Sequence, residues 1–523
     1  MKKIAVIILI LISLLYCSKK GHFSSADLTI ISGSENKTLM PLIREFERKH
    51  GVSIHVSFKG SLDIMIMLKQ QGFQYDAVWP ANSLWIKMGD VHRKVKHVKS
   101  IMTSPVVLGL RKSIAQRLGW INKNVTVKEI YAAIQKKEFK FLMTSATQSN
   151  SGASAFLGFL YAFANNPEVI RKMHLSNPQL KTKLKTLLKA VERTSGSSGW
   201  LKTLFLSKPG YKAMFNYEAV IIETNKELIQ KGEEPLYVIY PTDGLVIADS
   251  PLGYYNHGNK KKEELFIKLQ KYLLSNKVQD ELTRHGRRAS FGGLVSGADK
   301  NVWNPDWGIK ASKILSPIKY PRKEVLEQIL QLYQTALRKP SFTVFCLDFS
   351  GSMGGRGETL MKRAMETILN PELARQYYIN ATPKDITVVL PFSSNILAEW
   401  RVNGNNPDQL LTLLRRIQNL RPGGKTDIYS PSIRGIQLLS RVDFNEYMPA
   451  VILMTDGISN HGKRMNDLAR VYNQIGKDIP IFSIRFGAAD KSQLLEIEQL
   501  TGARIFDGRK DLIMAFKKAK GYN

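Results

Sequence analysis

The sequence predicts an α/β fold, with parallel sheets in two successive domains and the second of them doubly wound. Three observations carry this. Apolar runs such as Phe342-Thr-Val-Phe-Cys-Leu347 and Ala450-Val-Ile-Leu-Met454 stop at Gly/Ser/Asp clusters, as buried strands feeding loops do. Helical patterns separate those runs. Near the front of the chain, β-turn-α units follow one another, the arrangement that builds a parallel sheet.

The elements follow in chain order. Met1-Lys-Lys gives a basic start, and an apolar stretch of about a dozen residues then runs to Cys17. That length is short of the roughly 30 Å of hydrocarbon in a bilayer, so residues 1–17 read as an export signal. No later stretch approaches about 18 uninterrupted apolar residues. Leu14-Leu-Tyr-Cys17 resembles the lipobox of bacterial lipoproteins, which implies Cys17 as a lipidated residue, although Tyr16 stands where a small residue is usual. From Ala26, a strand signal Asp-Leu-Thr-Ile-Ile-Ser leads through Gly33-Ser-Glu-Asn-Lys37 into a helical pattern from Leu39. A strand at Val52 to Phe58, the turn Lys59-Gly-Ser-Leu-Asp63, a helix through Gln71 and a strand at Tyr75 to Trp79 continue the alternation. Arg322 to Arg338 is apolar at helical spacing and reads as a bridge. Beyond Pro340, helices at Leu360–Leu369, Gln409–Leu420, Ile433–Leu439, Asn466–Ile475 and Ser492–Leu500 alternate with strands. Those strands lie at Ile386–Phe392, Ala450–Met454, Ile479–Phe486 and around Ile505.

Five polar residues fall where this pattern puts loops. Asp348, Ser350 and Ser352 stand in DFSGS, Thr426 in GGKTD and Asp456 in MTDG. The three loops should open at the carboxyl edge of one parallel sheet, where ligands bind in open α/β folds. Two carboxylates and three hydroxyls form a hard oxygen set that suits Mg²⁺, or Mn²⁺, with a coordination position left for an incoming group. Taken alone, DFSGS is also a sound helix cap. GGKT as the end of a phosphate loop is excluded, because Asn419 occupies the position that needs glycine. Lys425 is then a solvated neighbour of Thr426.

The three pieces, in this order, resemble the von Willebrand factor A domain and its metal-ion-dependent adhesion site, over roughly residues 340 to 523. The resemblance implies a Rossmann-like doubly wound domain. It also implies that the hydroxyls of Ser350, Ser352 and Thr426 approach the metal, that Asp348 and Asp456 hold it directly or through water, and that an acidic side chain of a protein partner completes the shell.

The strings SGSEN, KGSLD, DAVWPAN, TQSNSGASAF, NYEA and YPTDG, in that order up to about residue 320, resemble the bacterial extracellular solute-binding proteins. That resemblance implies a two-lobed domain of the periplasmic-binding type over 18–320, followed by a connecting helix at 321–339 and the final domain at 340–523. Ser34, Ser61, Ser149 and Ser151 sit at predicted helix starts, where free amides favour an oxyanion or carboxylate. Each is equally a plain cap. Tyr217 either closes over a ligand or belongs to the core. Hinge crossings are expected at Ser104–Gly109 and Val246–Asp249.

Composition bounds the rest. A chain of 523 residues, 43% hydrophobic and 23% charged, is globular rather than disordered, with room for roughly three or four compact bodies. It has two cysteines, and Cys346 lies inside a predicted buried strand, so stability rests on ordinary cores rather than a disulfide. The net charge of +32 draws anionic surfaces. In an exported chain with dispersed cations, those surfaces are lipids or wall polymers rather than nucleic acid. No pairing of His, Cys or carboxylate supplies a general base beside the metal, and His461 reads as a loop residue, so the expectation is a binding protein and not an enzyme. The leading reading is an exported, membrane-anchored adhesion protein with a solute-binding domain. The alternative is the substrate-binding component of an uptake system for an anion or small organic solute.

Overall fold

In the computed structural model, residues 26–289, 298–312, 317–487, 491–509 and 511–521 are described. The segment 1–17, with Cys17, lies outside them. Among the described residues, three sheets organise the chain. The first runs in the order Ile54–Lys59, Leu28–Gly33, Ala77–Trp79, Pro251–Tyr255, Val95–Ser100. Its first three strands are parallel and the last two join antiparallel. The second sheet runs Val246–Ala248, Met102–Arg111, Ala213–Tyr217, Phe141–Thr144, Val191–Ser195. Leu236–Ile239 and Arg288–Ala289 also pair with Met102–Arg111.

Each sheet is the centre of one lobe, and the chain crosses between them beside Ile101, at Asp249–Ser250 and again just before Arg288–Ala289. The stretch Ser104–Gly109 is not the crossing itself; it lies within the strand Met102–Arg111, already in the second lobe. Val246–Ala248 is likewise a strand of that lobe, and the return follows it directly.

The third sheet runs Trp400–Asn403, Ile386–Phe392, Ser341–Asp348, Met448–Thr455, Ile481–Arg485, Ile505–Asp507. All neighbours are parallel except the edge strand Trp400–Asn403. Helices cover both faces, giving two apolar cores, one around Phe345, Ile452 and Phe516 and the other around Val344, Val451 and Ile436. Every residue of Ser341–Asp348 and Met448–Thr455 is buried, as the near-continuous apolar runs require of strands covered on both sides. Cys346 is among them, and burial pushes its thiol far above the ordinary range.

The bridge forms an α-helix, Lys323–Leu332, that ends in a π-helical turn, Tyr333–Leu337. Its apolar face joins a neighbouring core rather than a free linker: Leu326, Ile329, Leu330, Tyr333 and Leu337 share one cluster with Phe156, Leu184 and Leu187 of the second lobe. Among the described residues, no helix is long and apolar enough to cross a membrane.

Candidate functional site

Asp348 ends the central strand of the third sheet and Asp456 directly follows Met448–Thr455 beside it, so the parallel register sets both carboxylates at the same edge. Asp348 is fully buried. Its Oδ1 accepts the Ser350 amide at 2.8 Å and its Oδ2 the Thr455 hydroxyl at 2.6 Å. Ser350 and Ser352 present their hydroxyls 3.2 Å apart, and Ser352 donates to Asp456 Oδ1 at 2.8 Å.

Thr426 enters from the second loop. Gly457 marks the convergence, because a Cβ there would lie 3.2 Å from Ser352 Oγ and 3.3 Å from Thr426 Oγ1. Backbone bonds fix the loops to one another. Gly351 N donates to Gly424 O and Gly423 N to Phe349 O, while Asn460 N and His461 N both donate to Thr426 O. Gly424 takes a φ of 81°, a conformation that glycine alone adopts readily, and this turns the second loop towards the first. The five expected residues therefore gather at one rim.

Both carboxylates are desolvated. Burial raises the Asp348 carboxyl above its ordinary range against the bonds from Ser350 and Thr455, and burial also raises Asp456. A hard divalent ion would offset that desolvation. Among the described residues, no group of three or more His, Cys, Asp or Glu side chains could hold a metal. The set at this rim has two carboxylates and three hydroxyls, and that chemistry fits Mg²⁺ with part of its water retained. Lys425 and His461 are exposed at its edge, as is Ile458.

Sequence reasoning missed three supports. Thr455 orients Asp348. Asp427 caps the following helix through the amides of Tyr429 and Ser430, and also accepts from Lys463 N. Asn460 accepts the Thr426 amide at 3.2 Å. The position of Thr455 at a strand end next to Asp456 was the only available signal.

In the first domain the lobes are closed on one another. Ser61 Oγ accepts the Ala81 amide at 3.0 Å inside its own lobe. Ser149 and Ser151 both bond Ser198, at 3.2 and 2.8 Å, and Ser151 also bonds Thr144. Ser34 accepts Gly199 N across the cleft at 3.3 Å and faces its mouth. Tyr217 is buried and takes a bond from Asn150 Nδ2. With Glu35, Ser104, Ser250 and Arg287 it lines a cavity of about 20 Å³, room for roughly one water. Glu35 was not anticipated. Burial lifts its carboxyl to about 7, and its Oε1 is buried without a hydrogen-bond partner. The structure thus brings Ser34 to the mouth of the cleft and Tyr217 to the wall of that small cavity, and leaves Ser61, Ser149 and Ser151 in internal bonds.

Residues 28–288 match the family described as bacterial extracellular solute-binding protein, and residues 343–510 match the von Willebrand factor type A domain. The chain carries both: an extracellular solute-binding domain joined to a von Willebrand factor type A domain, which makes it an exported protein with two binding modules. Curated relatives include inter-alpha-trypsin inhibitor heavy chain H3 from Bos taurus and from Mus musculus. Each is 26% identical over 157 residues, which is 28% of this chain and 16% of the relative. Among solved structures, the ferric binding protein from Campylobacter jejuni is 15% identical with a TM-score of 0.39, over 58% of this chain and 98% of that one. The sulfate-binding protein SubI from Mycobacterium tuberculosis H37Rv is 14% identical with a TM-score of 0.40, over 57% of this chain and 95% of that one.

Proposed function

We propose that the chain is an envelope-anchored adhesion protein whose third-sheet rim holds Mg²⁺ or Mn²⁺ through Asp348, Ser350, Ser352, Thr426 and Asp456, and binds an acidic side chain of a protein partner there. The observation that carries this reading is the convergence of those five side chains from three loops. When bound, the ion supplies a Lewis-acid seat for a carboxylate oxygen. The chain's own residues orient it: Ser350 and Thr455 fix Asp348, and Gly457 leaves the space between Ser352 and Thr426 open. Anchoring through lipid on Cys17 belongs to the same reading, supported by the lipobox-like string. No enzymatic role is assigned in this reading.

Isothermal titration calorimetry with MgCl₂ and MnCl₂ tests the metal seat. Saturable heat in the natural chain and none in Asp348→Ala is expected, and flat titrations of the natural chain with both salts would overturn the proposal.

A solute-binding role for the first domain runs alongside, favoured by the family that residues 28–288 match. Glu35 in the cavity wall suits a ligand that donates a hydrogen bond or carries positive charge better than a bare anion. A thermal-shift screen of the full chain against small amines and oxyanions separates these, because a ligand of the folded state raises apparent stability. The bridge helix must be kept, since it completes the core of the second lobe.

A further inference from the structure

The last helix of the second domain, Leu512–Gly521, does more than close its own sheet. Lys517 is held by both lobes of the first domain at once. Its ammonium pairs with Asp63 of the first lobe, and its carbonyl accepts Gln148 Nε2 of the second lobe at 2.6 Å. The ion pair is sealed, with side-chain exposures of 0% for Lys517 and 1% for Asp63. One turn on, Gly521 O accepts Thr194 Oγ1 at 3.1 Å, and a Cβ at Gly521 would fall 1.8 Å from Gln148 Nε2. The helix end is therefore fitted to that glutamine.

This contact sits on the seam between the lobes. A Cβ on Gly60, three residues before Asp63, would lie 2.2 Å from Gln148 O and 2.9 Å from Gly196 O, so the two lobes meet backbone to backbone there. The wider mouth beside it is lined by Ser34, Lys59 and Gly199 of the lobes together with Arg504 and Lys518 of the second domain.

The second domain is fixed to one lobe more firmly than to the other. Asp478 receives Arg193 at 2.9 Å, Lys208 at 2.6 Å and Tyr211 at 3.2 Å, all from the second lobe, and Arg504 stacks over Trp200 at 5.1 Å. Within its own domain the helix is anchored by Phe516, fully buried and facing Phe345. Opening of the cleft would therefore carry the first lobe away from a joint body of second lobe and second domain, and would strand Asp63 and Lys517 as separated charges.

We infer that this helix is a clasp that holds the two lobes of the first domain closed, so that entry of a solute requires Asp63 to part from Lys517. The lobes also touch directly, through Trp85 to Asn150 at 2.7 Å and Thr38 to Glu223 at 3.1 Å. The clasp adds to these contacts and comes from a different domain. A closed two-lobed domain is usually the product of its ligand's contacts. Here the chain supplies such contacts itself, and by linkage a solute and the clasp must influence each other's hold.

Pulsed electron paramagnetic resonance on the full chain tests this, with spin labels at Lys49→Cys on the first lobe and Lys183→Cys on the second, both exposed positions. The parent should give one short, narrow distance. Asp63→Asn combined with Lys517→Met removes the pair without leaving an orphan charge, and should move a substantial population to longer distances. Gln148→Leu, which leaves the ion pair intact, should broaden the distribution less. Unchanged distances in the paired variant would overturn the clasp and assign closure to the contacts between the lobes. Loss of the folded circular-dichroism spectrum would show instead that the pair is a folding element of the core, which also overturns it.

Discussion

At the scale of single residues, the rim is an arrangement in which the proposed metal ligands are themselves held. Asp348 Oδ2 accepts the Thr455 hydroxyl, and this bond sets the orientation of a carboxylate that is already desolvated. Support of this kind is commonly worth tenfold to a hundredfold in metal affinity. Thr455→Val replaces the hydroxyl by a methyl of similar size in a buried place. It should weaken Mg²⁺ binding by roughly tenfold or more in calorimetric titration while the far-ultraviolet circular dichroism stays that of the parent. The five ligand candidates were legible in the sequence because each follows an apolar run or a glycine pair that ends an element. Thr455 was not, because the last residue of a strand and a residue that buttresses a site are written with the same letter. Glu35 was hidden for a similar reason. In SGSEN the serines draw attention as caps, yet the side chain folded into the cleft wall is the acid between them and the helix.

At the scale of elements, close approach seats the helix that follows the rim. The helix Tyr429–Ser440, which follows the Thr426 loop, lies over the two central strands at Gly435. A Cβ there would meet Val451 Cγ2 at 2.9 Å and Val344 Cγ1 at 3.4 Å. Gly435→Ala gains about 1 kcal/mol of intrinsic helix preference. It also overpacks the interface with a branched side chain that has little room to yield, a cost of about 1–3 kcal/mol. The net expectation is a lowered thermal midpoint for the second domain, and a raised midpoint in scanning calorimetry would refute the close-packing account. The helices and central strands of this domain were readable from period and run length. The edge strand Trp400–Asn403 was not, since it is short and largely exposed. The last helix was missed for a more informative reason. Its sequence ends Lys517-Lys-Ala-Lys-Gly521, yet Lys517 is buried against Asp63, a partner 454 positions away. Ion pairs that span domains leave no local mark in a sequence.

At the scale of the whole molecule, the seam between the domains is rich in buried lysine, and this gives it a definite response to pH. Desolvation lowers Lys520 from the ordinary 10.5 to about 8, while its ammonium donates to Ile379 O at 2.7 Å. The sign follows from proton counting. Below about 8 the lysine is charged in both folded and unfolded chains, and the folded state bears the full cost of burying the charge. Between about 8 and 10.5 the unfolded chain binds more protons than the folded one, so stability rises with pH. The slope is at most about 1.4 kcal/mol per pH unit for one group. Lys520→Met removes the titrating group and with it that slope. The melting temperature of the parent should therefore gain on that of Lys520→Met as the pH is raised from 8 to 10, in paired calorimetric scans. Parallel curves across that interval would mean that the ammonium is solvated in the folded chain and that the seam is looser than its packing implies.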